Sequence, residues 1–131
     1  MNNSNRINLG LAILRISFAV LLLTHGIPKA QLLFSGGEIN FPDPLSIGAT
    51  FSLILAVIGE VVCPILLIIG FKVRWAAIPP AIVMLVATLI VHADDPFRKK
   101  EFAMVYLFAF ITMALLGAGK WSLDAMRGKK A

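Results

Sequence analysis

Four long apolar stretches, separated by short polar segments, organise the chain: residues 7–27, 45–69, 75–92 and 101–117. Each approaches the roughly 20 residues that a helix needs to cross about 30 Å of hydrocarbon. Lipid offers no partner to an open strand edge, so runs of this length predict helices. Only Gly70, Phe71, Lys72, Val73 and Arg74 separate the second run from the third, which predicts antiparallel neighbours. Residues 93–100 form the next connection. The first connection, 35–44, holds two glycines and two prolines, which exclude a regular helix. Phe34, Ile39 and Phe41 around it predict a loop that dips into the interface. After the last run, residues 120–127 predict a short interfacial helix capped by Ser122, with Asp124 suited to its first turn. The expected fold is all-α: an integral membrane four-helix bundle forming a single domain over residues 1–131.

Composition agrees with a lipid-exposed surface. Apolar residues make up 59% and charged residues 15% of the 131, against about 45–50% and 25% in ordinary soluble domains. The net charge of +5 is not a nucleic-acid signal, because the cations cluster between apolar runs and form no basic stripe with interleaved aromatics. They bear on orientation instead. With four spans, Arg6, Lys72, Arg74, Lys120, Arg127, Lys129 and Lys130 share one side, and Lys29, Arg98, Lys99 and Lys100 the other. The richer side, with both termini, is expected in the cytoplasm. Trp75 and Trp121 fall at that boundary, where amphipathic rings settle. The N-terminus imitates a signal peptide, but Arg15 interrupts its apolar region and residues 24–29 offer no small-x-small cleavage site. It reads as an uncleaved first span. The lone cysteine, Cys63, lies in an apolar run, so neither an internal disulfide nor a thiol-exchange pair is possible. It reads as a small buried residue.

Function has to be argued from ionisable groups inside the spans, since each costs a few kcal/mol near the bilayer centre. These are Arg15, His25, Lys29, Glu60, His92 and Glu101. Counted from the expected inner ends of their helices, Arg15 and Glu60 lie at similar depth, which predicts a buried Arg–carboxylate pair. That pair is either a structural lock or the floor of a ligand cavity. His25 and Lys29 are one turn apart and share a face; at 100° per residue, Arg15, His25 and Lys29 fall in one wedge of the first helix. Gly26 on that seam allows close approach, and Pro28 leaves the Thr24 carbonyl without its helical donor. His92 closes the third run and Glu101 opens the fourth on the same outer side.

That outer cluster admits several readings. Two histidines could ligate a haem, or with Glu101 a metal, but only two exist and neither lies in a motif, so no metal site is expected and haem is disfavoured. A pocket for a quinone-like molecule fits better: His25, Lys29, His92 and Glu101 would bind a headgroup and relay protons, with Phe102 and Tyr106 supplying ring contacts. The same residues also fit a solvated loop, with His25 and Lys29 snorkelling to the headgroups.

Arg15, the His25-Gly26-x-x-Lys29 sequence, Gly59-Glu60, Gly70 before the basic turn of Lys72 and Arg74, His92, Glu101 and the tail Gly117-x-Gly119-x-x-Ser122-Leu123-Asp124 occur in an ordered set. In this the chain resembles the DoxX family of small bacterial membrane proteins, over nearly its whole length. The resemblance implies a four-helix bundle in the bacterial inner membrane and redox physiology. The family takes its name from a membrane subunit of a thiosulfate:quinone oxidoreductase, and other members associate with thiol-handling and superoxide-detoxifying proteins. Three functions follow as expectations: a redox-associated subunit with a quinone-like ligand; a non-catalytic anchor or assembly partner for another enzyme; or a small transporter or channel working as an oligomer. Intramembrane charge suits the last, but no internal repeat or paired broken helices accompany it. No nucleophile–base pair, CxxC or phosphate-binding glycine loop is present. The chain is therefore not expected to catalyse a reaction alone, and its partners are lipid together with a partner protein or further copies of itself.

Overall fold

A computed structural model describes residues 1–128 of the chain; Lys129 and Lys130, two of the cations counted toward the inner side, lie outside the described residues. Among those residues the structure is all-helical, with no strand. Helix α1 is Asn3–Leu33, α2 is Ala49–Ile69, α3 is Val73–Val91, α4 is Phe97–Leu116 and α5 is the short Leu123–Met126. Helices α1, α2 and α3 are each long and apolar enough to cross a membrane. Helix α4 has the length but opens with Arg98, Lys99, Lys100 and Glu101.

Local chemistry accounts for the boundaries. Asn2 caps α1, its side chain accepting from the Asn5 amide at 2.8 Å. Pro28 does not end the helix, which runs one further turn to Leu33. Inside α2 the residues Ile58–Val62 form a π-turn, with the Cys63 amide donating to the Ile58 carbonyl. Pro64 has no N–H to give to the carbonyls behind it, so the ladder slips there. Helix α2 ends at Gly70, whose φ of +77° suits glycine. Pro79 and Pro80 break the regular start of α3 in the same way, and a second π-turn, Ala87–Val91, closes that helix. Helix α4 begins at Phe97 rather than near residue 101, because Pro96 sets up a helix start and draws four residues of the expected loop into its first turns.

Helix α1 packs against α2 and α4, α2 against α3, and α3 against α4. The buried positions of α1 are Asn8, Ala12, Arg15, Ala19, Leu22 and Gly26. Their alternating spacing of four and three is the seam of a left-handed helix packing, polar at Asn8 and Arg15 and small or apolar elsewhere. The core is built largely from small residues, including Ala19, Ala76, Ala77, Ala103, Ala109 and Ala118, with Leu22, Leu67, Tyr106, Phe110 and Met113 between them. Large apolar side chains instead cover the outside, among them Ile13, Leu21, Phe51, Ile65, Leu89, Phe108 and Leu115. Small residues within and large apolar ones without is the arrangement that suits contact with lipid.

Candidate functional site

Continuing the α1 seam three residues past Gly26 brings Lys29 onto α2. Its Nζ lies 2.5 Å from Glu60 Oε2, and the two side chains are 31% and 2% exposed. Gly26 makes this possible: a Cβ there would stand 2.2 Å from the Glu60 carbonyl oxygen. On the other side of α2 a Cβ at Gly59 would stand 2.6 Å from Val83 of α3. Neighbouring helices thus close on the Gly59-Glu60 step from two directions, at the π-turn of α2. Distortions of this kind recur at functional sites. A buried carboxylate here requires its cation, because an uncompensated charge costs about 3–5 kcal/mol. The ring of Phe41, from the first loop, lies 5.9 Å from Lys29 Nζ, within cation–π reach.

One turn before Lys29, His25 faces α4 instead. Its imidazole meets Phe102 edge-on at 5.6 Å between centroids and Tyr106 at 6.0 Å. Tyr106 is buried, contacts Phe18 edge-on at 5.8 Å and stacks on Phe110 at 6.3 Å. These separations suit favourable aromatic pairs. His25 itself is exposed. Among the described residues no hydrogen bond engages its ring or the Tyr106 hydroxyl, so both polar tips remain available beside an apolar wall.

The other expected site residues do not join this wall. His92 Nδ1 bonds Asp95 Oδ2 of its own loop at 2.7 Å. That contact, first, and the nearby Lys99 and Lys100 hold the Asp95 carboxyl below the usual carboxylate range. Glu101 is exposed at the start of α4. Among the described residues no hydrogen bond, ion pair or ring contact links His92 or Glu101 to His25 or Lys29. The structure brings together His25 with Tyr106, and Lys29 with Glu60.

The expected ion pair of Arg15 with Glu60 does not form, since Glu60 is taken by Lys29. Arg15, 1% exposed, donates instead to the carbonyls of Leu67 at 2.7 Å, Ile68 at 2.8 Å and Trp121 at 2.6 Å. Two of these acceptors belong to the last turn of α2, where carbonyls lack helical partners. The guanidinium fork suits such a cluster of acceptors. The equal-depth estimate failed because α1 starts at Asn3 and α1 and α2 cross with Gly26, not Arg15, at the level of Glu60.

Three polar anchors were not apparent from the sequence. Asp124 is buried, and its carboxylate accepts from the amides of Lys72 at 2.7 Å and Val73 at 3.0 Å. It thereby caps α3 across the chain rather than serving its own short helix, which Ser122 caps as anticipated. Asn8, a lone amide in the first apolar run, accepts from the Lys120 amide at 2.9 Å. Asp43 accepts from the amides of Ile47 and Gly48, each at 2.8 Å, and from Ser52 Oγ at 2.9 Å. The Ile47 bond, foremost, and those of Gly48 and Ser52 hold its carboxyl below the usual range. The signal was a polar residue in an apolar or loop setting: Asn8 lies in the second turn of α1, and Asp43 and Asp124 answer unpaired amides near the starts of α2 and α3.

Comparison with known proteins places these features in a context. The DoxX family profile matches residues 10–93, from early in α1 to just past α3. A protein of Haemophilus influenzae (strain Rd), described as uncharacterized, is 30% identical over 123 residues, covering 88% of this chain and 82% of that protein. No solved structure matches. With helices of the apolarity described, this is a membrane protein.

Proposed function

Given that this chain belongs to the DoxX family, we propose that it is a multi-pass protein of the bacterial inner membrane whose helices α1 to α4 all cross the bilayer, with both termini in the cytoplasm. It serves as a redox-associated membrane subunit, holding a quinone-like small molecule between α1 and α4. The 20 residues of α4 extend about 30 Å at 1.5 Å per residue, and its charged first turns would lie at the outer headgroups.

The observation that carries this reading is the wall formed by His25, Phe102 and Tyr106 beside Lys29. A quinone is flat and bears two carbonyl acceptors. The rings offer faces and edges to stack on, while the His25 N–H and the Tyr106 hydroxyl are donors on that wall; the Lys29 ammonium lies one turn of α1 beyond His25, on the α2 side. Apolar walls with a few directed polar groups are the usual make-up of a small-molecule site. Lys29, paired with Glu60, adds no net charge, but its remaining ammonium hydrogens could donate to a headgroup carbonyl.

The test is titration of the protein in lipid nanodiscs with a short-chain naphthoquinone. Saturable binding is expected, weakened about tenfold in His25→Ala and in Tyr106→Phe, the fold-change of one lost hydrogen bond of about 1.4 kcal/mol. Binding indifferent to both substitutions, in proteins that retain their helix content, refutes the reading. A second reading, a non-catalytic membrane anchor for a partner enzyme, is favoured by the dispersal of the outer groups: His92 is engaged by Asp95 and Glu101 stands free of the wall. It predicts no quinone binding and co-purification of a second polypeptide.

A further inference from the structure

At the opposite end of the helices the tail folds back over the last turn of α2. Between them lies an open groove of about 560 Å³, lined by Ile69, Lys120, Trp121, Ser122, Leu123 and Met126. Its wall is rigidly backed, because buried Arg15 grips the carbonyls of Ile68 and Trp121 and Asn8 holds the Lys120 amide. The lining divides by chemistry. Ile69, Leu123 and Met126 offer an apolar track, Trp121 is 50% exposed and amphipathic, and the exposed Lys120 ammonium stands at the polar end.

The charge around the groove is of one sign. Among the described residues this end of the molecule carries Arg6, Lys72, Arg74, Lys120 and Arg127, against Asp124 alone. The Asp124 carboxylate is buried and turned onto the Lys72 and Val73 amides, so it does not neutralise the surface. Lys72 and Arg127 are drawn together over the Phe71 ring, at 5.5 Å and 4.9 Å from its centroid. The acids of the chain otherwise lie toward the other end: Glu38, Asp43, Glu60, Asp94, Asp95 and Glu101.

We infer that this groove is a binding site for an anionic phospholipid, with the acyl chain along Ile69, Leu123 and Met126 and the phosphate at Lys120, in the positive field to which Lys72 and Arg127 over Phe71 contribute. The charge complementarity selects an anionic lipid over a zwitterionic one, because basic residues beside a membrane helix attract anionic headgroups. An exposed tryptophan at this level seats the glycerol region of the lipid. The site rests on the membrane placement proposed above but not on the quinone reading.

Trp121 reports on it directly. In Trp75→Phe, a change at a side chain 75% exposed, Trp121 is the sole tryptophan. The full-length variant is reconstituted in nanodiscs of equal parts phosphatidylcholine and phosphatidylglycerol, with either lipid brominated in turn. Since both leaflets have the same composition, the result does not depend on orientation. Brominated phosphatidylglycerol is expected to quench Trp121 more strongly than brominated phosphatidylcholine. Adding Lys120→Gln and Arg127→Gln is expected to erase that preference, by about fivefold in relative affinity per charge. Removing two outer cations instead, by Arg98→Gln and Lys99→Gln, is expected to preserve it. Equal quenching by the two lipids overturns the inference, as does a preference lost equally in the outer control. Protection of Trp121 from both lipids in a dimer would assign the groove to a second copy and would also overturn it.

Discussion

Replacing Arg15 by methionine keeps most of the aliphatic stem and removes every donor. Three acceptors lose a partner: Leu67 O, Ile68 O and Trp121 O. Leu67 O retains the Gly70 amide at 3.2 Å, so Ile68 O and Trp121 O are the ones left bare. A stranded buried acceptor costs about 1–3 kcal/mol, giving about 2–6 kcal/mol for the two. Two effects offset this. The guanidinium is no longer desolvated, which is worth several kcal/mol for a buried ion, and its Nε–H, which has no partner among the described residues, is gone. Water at the exposed edge of Trp121 also partly satisfies that carbonyl. These offsets bring the balance down to a loss of about 1–2 kcal/mol for Arg15→Met and about half that for Arg15→Lys, whose single ammonium keeps the charge without the fork. Reversible unfolding in mixed micelles, followed by Trp121 emission in the Trp75→Phe background, measures both. Because Arg15 holds the Trp121 carbonyl, emission should also change before the helices unfold. An Arg15→Met protein within about 0.5 kcal/mol of wild type, the range of an ordinary surface substitution, with unchanged emission, would refute the assignment of Arg15 as the clamp between tail and α2.

Other substitutions test the remaining contacts. Gly26→Ala places a Cβ 2.2 Å from a backbone oxygen of α2 and should cost about 3 kcal/mol or more by the overpacking it forces, whereas Gly10→Ala meets nothing within 4 Å and should gain about 0.5–1 kcal/mol; the same unfolding titration ranks them. Lys29→Met strands Glu60 and should cost about 3–5 kcal/mol, while Lys29→Met with Glu60→Met should recover most of it; a double mutant no more stable than the single one contradicts the pairing. Asp43 has a depressed carboxyl in the folded loop, so its stabilisation is fully present above the ordinary carboxylate pKa and is lost as pH falls through the lower folded value. Protection of the Ile47 and Gly48 amides against hydrogen exchange, taken relative to the intrinsic rate at each pH, should therefore fall only at acid pH, and Asp43→Asn should remove that dependence.

Much of the fold was legible because each helix is announced by an apolar run too long to be anything else in lipid. The fine structure was less so. The first apolar run was read only as far as residue 27, yet α1 continues past Pro28 to Leu33, since one missing donor in a long helix is cheaper than exposing a further turn of backbone. The pairing of ionisable groups was misjudged because depth along a helix was counted from assumed ends, and the crossing point depends on where two glycines let backbones touch. Gly26 and Gly59 carried that information, but their partners across the interface do not appear in a linear pattern. The wall of His25, Phe102 and Tyr106 was half visible: all three were candidates, while their contact depends on α1 meeting α4. His92 could have been assigned to Asp95 from their spacing at the end of α3, where a local carboxylate is the nearest partner. Asp124 and Arg15 act over separations of about fifty residues or more, as caps on the α2–α3 turn, and nothing periodic marks such partners.

The most direct test of the central claim is native mass spectrometry of the full-length protein extracted in mild detergent, comparing wild type with His25→Ala and His92→Ala. The account predicts a retained non-lipid mass of quinone type in wild type, lost in His25→Ala and kept in His92→Ala, whose side chain is engaged by Asp95. Wild type that carries lipid alone, or a retained mass indifferent to His25, would contradict it.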